Sequence, residues 1–328
     1  MSCGTGPTAS RHAVTGHGKR ARRPEPSEAD LIPRDWGDDI TPDEVDLAYG
    51  PETGCPEGAP DHECGGSQEL DVYLPRDGGM RGTIVYFHGG GFATGDKSDV
   101  SGLGNIKRQL ARGFGLVVAN YRLTDASQNE NGFPDAMADV GAAIDWVKTN
   151  GPDHGLPTDV IVAAGGSAGG TLAALAGTAA NSSEPVFADL QPVDGWMSIS
   201  GVMTWKGGEM SDGWMQGWLG PDYLEQRDVA SATNHLDFDD PPGYLAHGAA
   251  DSFVETDNAD LLEDEVSLLN RLLFWRDRGK LTIDIVDNFA DGPPMDDNTG
   301  HQPIGGANST VMDEWLDDVV DQAAEQGS

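Results

Sequence analysis

Basic side chains are scarce in this chain: 20 Lys and Arg stand against 55 Asp and Glu over 328 residues, a net charge of -35 at pH 7. Arg11, Lys19, Arg20, Arg22 and Arg23 sit in the acid-free opening stretch, so the remainder is more acidic still. Such a surface repels polyphosphate and anionic lipid, which argues against nucleic acid and membrane as partners. Self-repulsion also opposes compaction, and salt relieves it, since the screening length falls to about 3 Å at 1 M. The Asp-rich composition resembles that of proteins from salt-loving organisms, so folding stability is expected to rise with NaCl. Cysteine is nearly absent. Cys3, Cys55 and Cys64 are too few for a disulfide scaffold and lack metal-ligand spacing. Cys55 and Cys64 share a Pro/Gly/Glu loop, and a bridge or two free thiols both remain open. No apolar run approaches the roughly 18 residues that cross a bilayer. The basic start also lacks the apolar core of a secretory leader. A soluble protein is expected, cytoplasmic or secreted, without metal or cofactor, acting on a small molecule. Its oligomeric state stays open.

What is present has a clear order. Residues 1–35, rich in Gly, Ser, Thr, Arg and Pro without periodicity, are expected to be disordered. Residues 36–328 then form one domain, loop-like to about residue 68. Leu70–Leu74, Thr83–Phe87, Leu116–Ala119, Val160–Ala164, Gly195–Ile199, Gly243–Ala246 and the alternating Leu281, Ile283, Ile285 read as strands. Helices are expected near Ile106 and Leu110, from Pro134 to Asn150, from Thr171, over 259–278, and around Val311, Trp315 and Val319. Strands alternating with helices predict an α/β fold, a doubly wound, mostly parallel sheet with helices on both faces. Residues 203–240, with Trp205, Trp214 and Trp218 among Gly and Met, break the alternation. They are expected to form a small cap inserted over one end of the sheet, lining or lidding an apolar pocket. An ordinary core role for these tryptophans is the alternative.

The most informative segment runs from Val160 to Gly170. A buried apolar strand is followed by Gly165-Gly166-Ser167-Ala168-Gly169 and then a helix. Glycines permit a sharp reversal that pushes the Ser167 hydroxyl out of the backbone, the Gly-x-Ser-x-Gly nucleophile turn. A dinucleotide-binding loop would need glycine where Ser167 stands and an acidic residue about 20 residues on in a second strand. A serine hydroxyl needs a base, and the base an orienting group. Chain order Ser, Asp, His selects Asp251, directly after a strand, and His301, the one histidine C-terminal to it. Asp257 and Asp260 are fallback acids; His235 and His247 precede Asp251 and read as structural. His88-Gly89-Gly90-Gly91-Phe92 follows another strand, and its glycines leave backbone N–H groups bare for an oxyanion. Gly90, Gly91 and Ala168 are the expected donors.

These motifs carry a resemblance over roughly residues 68–320. The chain resembles α/β-hydrolases of the hormone-sensitive-lipase-like esterase group, near the acetyl esterase and feruloyl/acetyl-xylan esterase branch. Leu70–Pro75, Gly95-Asp96-Lys97, Asn120–Leu123, Phe133-Pro134-Asp135, Asp240-Pro241-Pro242 and His247-Gly248 belong to the same pattern. The resemblance implies a carboxylic-ester hydrolase with no metal or cofactor and a cap over the acyl pocket. A formamidase or serine peptidase would use the same triad, and an inactive binding protein would keep the fold. The loop Phe289–Thr299 is longer than the family pattern leads one to expect, and segment 36–68 has no counterpart in it.

Overall fold

The computed structural model describes residues 41–51, 68–76, 79–99, 106–125, 132–205, 212–248, 251, 254, 281–286 and 309–326. The side chains of 106, 107, 212–215, 285, 286 and 309 fall outside that description. So do the expectations for residues 1–35, for Cys3, Cys55 and Cys64, for a helix over 259–278, and for the loop 289–301 that ends in His301.

Eight strands form one sheet: β1 Glu44–Ala48, β2 Glu69–Tyr73, β3 Gly82–Phe87, β4 Phe114–Ala119, β5 Ile161–Gly166, β6 Gly195–Ile199, β7 Gly243–Gly248 and β8 Leu281–Val286. Their order across the sheet is β1-β2-β4-β3-β5-β6-β7-β8. The pairs β1–β2 and β2–β4 are antiparallel and all others parallel. Every residue of β3, β4, β5 and β7 is buried. A parallel strand covered on both faces needs such continuous apolar runs, which is why these strands were legible.

Side-chain alternation divides the core into two layers. Val85, Phe87, Val117, Ile161, Ala163 and Leu245 face one side, and Ile84, Tyr86, Val118, Val162, Ala164 and Tyr244 face the other. The first layer receives helix α2, Phe133–Asn150, and helix α3, Ala168–Thr178. Pro134 opens α2 and Asp135 lies in its first turn; Met137, Val140, Ile144 and Val147 supply its buried stripe. The second layer receives helix α1, Ile106–Ala111, and the terminal helix α6, Ser309–Gln326, through Leu110, Met312, Trp315, Leu316 and Val319. The two are also tied by charge. The Asp313 carboxylate, 9% exposed, accepts from Arg108 Nε at 2.6 Å and Gln109 Nε2 at 2.8 Å, and Arg112 Nη1 lies 2.7 Å from it.

One expectation is corrected. Residues 36–68 are not wholly loop, because β1 pairs antiparallel on β2 at the sheet edge. Its apolar alternation is too weak to read from sequence: Val45 is 54% exposed and Asp46 breaks the register at φ 56°. Polar contacts hold the strand instead. Lys97 Nζ reaches Asp46 at 2.5 Å and Asp71 at 2.8 Å. The Asp43 carboxylate accepts from the Leu74 N–H and from Arg76, both at 2.8 Å.

Between β6 and β7 the chain leaves the sheet and forms helix α4, Asp212–Leu219, and helix α5, Tyr223–Gln226, followed by a short turn at Ala232–Asn234. No helix among the described residues is long and apolar enough to cross a membrane.

Candidate active site

Ser167 stands between β5 and α3, at the carboxyl end of a central parallel strand. Its backbone is at φ 52°, ψ -119°, a region that L-residues avoid at a cost of about 1–3 kcal/mol. Backbone hydrogen bonds hold it there. Its N–H donates to the Ile199 carbonyl at 2.8 Å, and its own carbonyl accepts from the Thr171 N–H at 3.1 Å. The turn is tight because α3 starts directly against β3. A Cβ on Gly169 would overlap the carbonyl oxygen of Phe87, so only glycine fits. Ser167 is half-buried, while Ala168 beside it is buried.

The loop after β3 runs beside this turn. An ideal Cβ on Gly89 would lie 3.4 Å from Ser167 Cβ and 3.1 Å from the Gly166 carbonyl oxygen. Gly90, Gly91 and Phe92 follow with φ of 115°, 60° and 63°. A side chain on Gly90 would overlap the Thr94 carbonyl. The Ala93 and Thr94 N–H groups both donate to the Gly90 carbonyl, at 3.2 and 3.0 Å. His88 anchors the base of the loop. Its Nδ1 lies 2.7 Å from the Gly89 carbonyl oxygen, which can only accept, so Nδ1 carries the proton. Its ring stacks on Tyr121 at 4.6 Å, and the Tyr121 hydroxyl donates to the His88 carbonyl at 2.9 Å. Burial pushes the His88 pKa down, against the Gly89 carbonyl and the Asp96 and Asp99 charges, which favour the cation. The neutral imidazole is a fixed strut, and burial likewise raises the Tyr121 phenol.

Asp251 lies beyond β7, two strands along the same sheet edge, and is 5% exposed. Its N–H donates to the Gly248 carbonyl at 3.0 Å, and its Oδ1 accepts from the Val254 N–H at 2.9 Å. His247 completes this loop. The fully buried ring donates Nε2–H to the Val254 carbonyl at 2.6 Å, with Asp251 Oδ2 at 3.3 Å. Sequence reasoning set His247 aside as structural and missed that it touches the candidate acid. The available signal was its place four residues before Asp251 on the strand that delivers the loop.

The structure therefore brings Ser167, Ala168 and the Gly89–Gly91 loop together and sets Asp251 on the same edge; His301, Asp257 and Asp260 lie outside the described residues. Of the three tryptophans, Trp205 and Trp218 are 4% and 1% exposed, and the Trp214 side chain lies outside the description. Trp218 stacks on Phe92 with ring centroids 3.8 Å apart, and Trp205 Nε1 donates to the Ala230 carbonyl at 3.0 Å. Both belong to the core layer that also holds α2 and α3. His235 is tied locally, its Nε2 2.7 Å from the Val229 carbonyl oxygen.

Comparison with known proteins gives three results. A family model described as BD-FAE matches residues 70–266. In Mycobacterium tuberculosis, the protein named "Probable carboxylic ester hydrolase LipM" is 28% identical over 274 residues, 77% of this chain and 57% of that one. Esterase LipI of the same organism is 40% identical over 94 residues, 28% of this chain and 27% of its own. The chain thus spans little more than half the length of LipM and less of LipI. Among solved structures, a truncated carbohydrate esterase from gut microbiota superimposes with a TM-score of 0.61 at 18% identity, covering 86% of this chain and 96% of that one. Thermogutta terrifontis esterase 2 gives 0.55 at 20% identity, covering 87% and 94%. At such identities the likeness is one of fold, and that fold is the α/β-hydrolase sheet.

Proposed function

The chain belongs to the BD-FAE family, and from that premise we propose that it hydrolyses carboxylic esters through an acyl-enzyme on Ser167. The observation that carries this reading is a strained, half-buried serine with the Gly89 loop packed directly against it. In the first half-reaction Ser167 Oγ attacks the ester carbonyl carbon while its proton passes to the imidazole of His301. The carbonyl oxygen becomes an oxyanion and accepts from the N–H groups of Gly90, Gly91 and Ala168. Collapse breaks the bond to the alkoxy oxygen, which takes the proton from His301 and leaves as alcohol. Water then repeats the sequence on the acyl-enzyme and releases the carboxylic acid. Asp251 orients the imidazole and balances its transient charge. No step calls for a metal or cofactor.

Short acyl groups fit this reading best. Phe92, Trp205, Trp218 and Phe133 fill the space beside the loop with rings 3.8 to 6.2 Å apart, so the insertion 203–240 acts as a close-packed cap. The purified protein should hydrolyse p-nitrophenyl acetate and butyrate, and far less of the palmitate. Ser167→Ala should abolish turnover, and His301→Ala and Asp251→Ala should each lower it by about 10³-fold or more, because triad members act as a unit. Undiminished turnover in Ser167→Ala overturns the assignment, and a preference for palmitate overturns the acyl reading.

A further inference from the structure

Phe92 is a buried, non-glycine residue at φ 63°, directly after Gly90 and Gly91, the loop donors proposed above for the oxyanion. A left-handed phenylalanine persists only where its surroundings over-determine it. A ring stack and a backbone hydrogen bond do so here. Its ring lies flat on Trp218, centroids 3.8 Å apart at an interplanar angle of 8°. Its carbonyl accepts from the Thr124 N–H at 2.7 Å. Thr124 Oγ1 in turn donates to the Gly217 carbonyl at 2.9 Å, one residue before Trp218 in α4. Trp218 is itself wedged edge-on against Phe133 at 5.0 Å, at the start of α2. The insertion is therefore fastened to the loop twice, by a ring stack and by a hydroxyl.

We propose that Trp218 and Thr124 are positioning residues that hold Phe92 left-handed, and so fix the aim of the Gly90 and Gly91 N–H groups. On this view α4 braces the oxyanion loop, and it does not swing as a lid. The inference rests on the ester-hydrolase reading above. It goes further by giving Trp218 a part in turnover and not only in acyl selection.

The test compares the full-length parent with Trp218→Leu, Trp218→Phe and Thr124→Val. Three quantities are read: kcat and KM for p-nitrophenyl acetate, inhibition by a small trifluoromethyl ketone, and hydrogen exchange of the peptide spanning 88–94. The ketone forms a tetrahedral adduct on serine whose oxyanion needs the loop. Complete loss of one donor costs about 10²–10³ in rate, so a misaimed loop should lower kcat by about tenfold or more in Trp218→Leu. KM should move by less than about twofold, and ketone affinity should fall with kcat. Trp218→Phe, which keeps a flat ring, should lie nearer the parent. Thr124→Val retains the N–H and loses the hydroxyl bond. It should show the same pattern at smaller size, and it decides the matter if Trp218→Leu does not fold. In both variants the 88–94 peptide should exchange faster. A change confined to KM, or unchanged kcat with unchanged exchange, overturns the bracing role. A parent without esterase activity would sink the ester reading instead, and the exchange data alone would then decide whether α4 braces the loop.

Discussion

Replacing Ser167 by glycine and, separately, by alanine isolates the strain stored in the turn from the loss of its hydroxyl. Both variants delete Oγ, and both keep the backbone bonds to Ile199 and Thr171. Alanine must still hold φ 52°, ψ -119°, whereas glycine reaches that region without a Cβ clash. Holding a residue there costs about 1–3 kcal/mol. Glycine loses back about 0.4–1 kcal/mol through its greater freedom in the unfolded chain. The glycine variant should therefore be about 1 kcal/mol more stable than the alanine variant. Chains of 150–250 residues shift by about 2–4 °C per kcal/mol, so a difference near 2 °C is expected here. Scanning calorimetry of both proteins at one fixed NaCl concentration reads it directly. An alanine variant as stable as the glycine variant would mean the turn is relaxed, and the argument that backbone strain presents this hydroxyl would fail.

Two further outcomes concern the rest of the molecule. Asp313→Asn keeps the shape of the anchor between α1 and α6 but leaves Arg108 and Arg112 buried with half their counter-charge gone. Breaking a buried pair costs about 3–5 kcal/mol, so urea unfolding should move to markedly lower midpoint; an unchanged midpoint would show that the ion pairs are solvated. With a net charge of -35, the parent should melt at progressively higher temperature between dilute buffer and molar NaCl, as screening weakens self-repulsion. A flat or falling melting curve would refute that origin of its acidity.

The central strands were legible because burial on both faces forces continuous apolar runs such as Thr83–Phe87 and Ile161–Ala164. Ser167 was legible for a related reason: the turn that presents it is local, and Gly165 is fixed by backbone overlap with Gly169 and Gly170, although Gly169 answers to the distant Phe87 carbonyl. What stayed hidden depends on contacts made across the chain. The strand Glu44–Ala48 is held by Lys97 and Asp71 rather than by its own pattern, and nothing in its five residues announces that partner. Phe92, Thr124 and Trp218 meet only because the insertion folds back over the sheet edge, so neither the stack nor the hydroxyl bridge has a sequence signature. His247 lies between these cases. Its strand and its spacing to Asp251 were readable, but the bond to Val254 that pins the loop was not.

Which hydroxyl is activated decides the chemistry of this protein. Treating the native protein with a fluorophosphonate and mapping the modified peptide by mass spectrometry answers that in one step. The expected result is a single adduct on Ser167, formed in parallel with loss of p-nitrophenyl acetate turnover and absent from Ser167→Ala. An adduct on a different residue, or full turnover with Ser167 blocked, would contradict it.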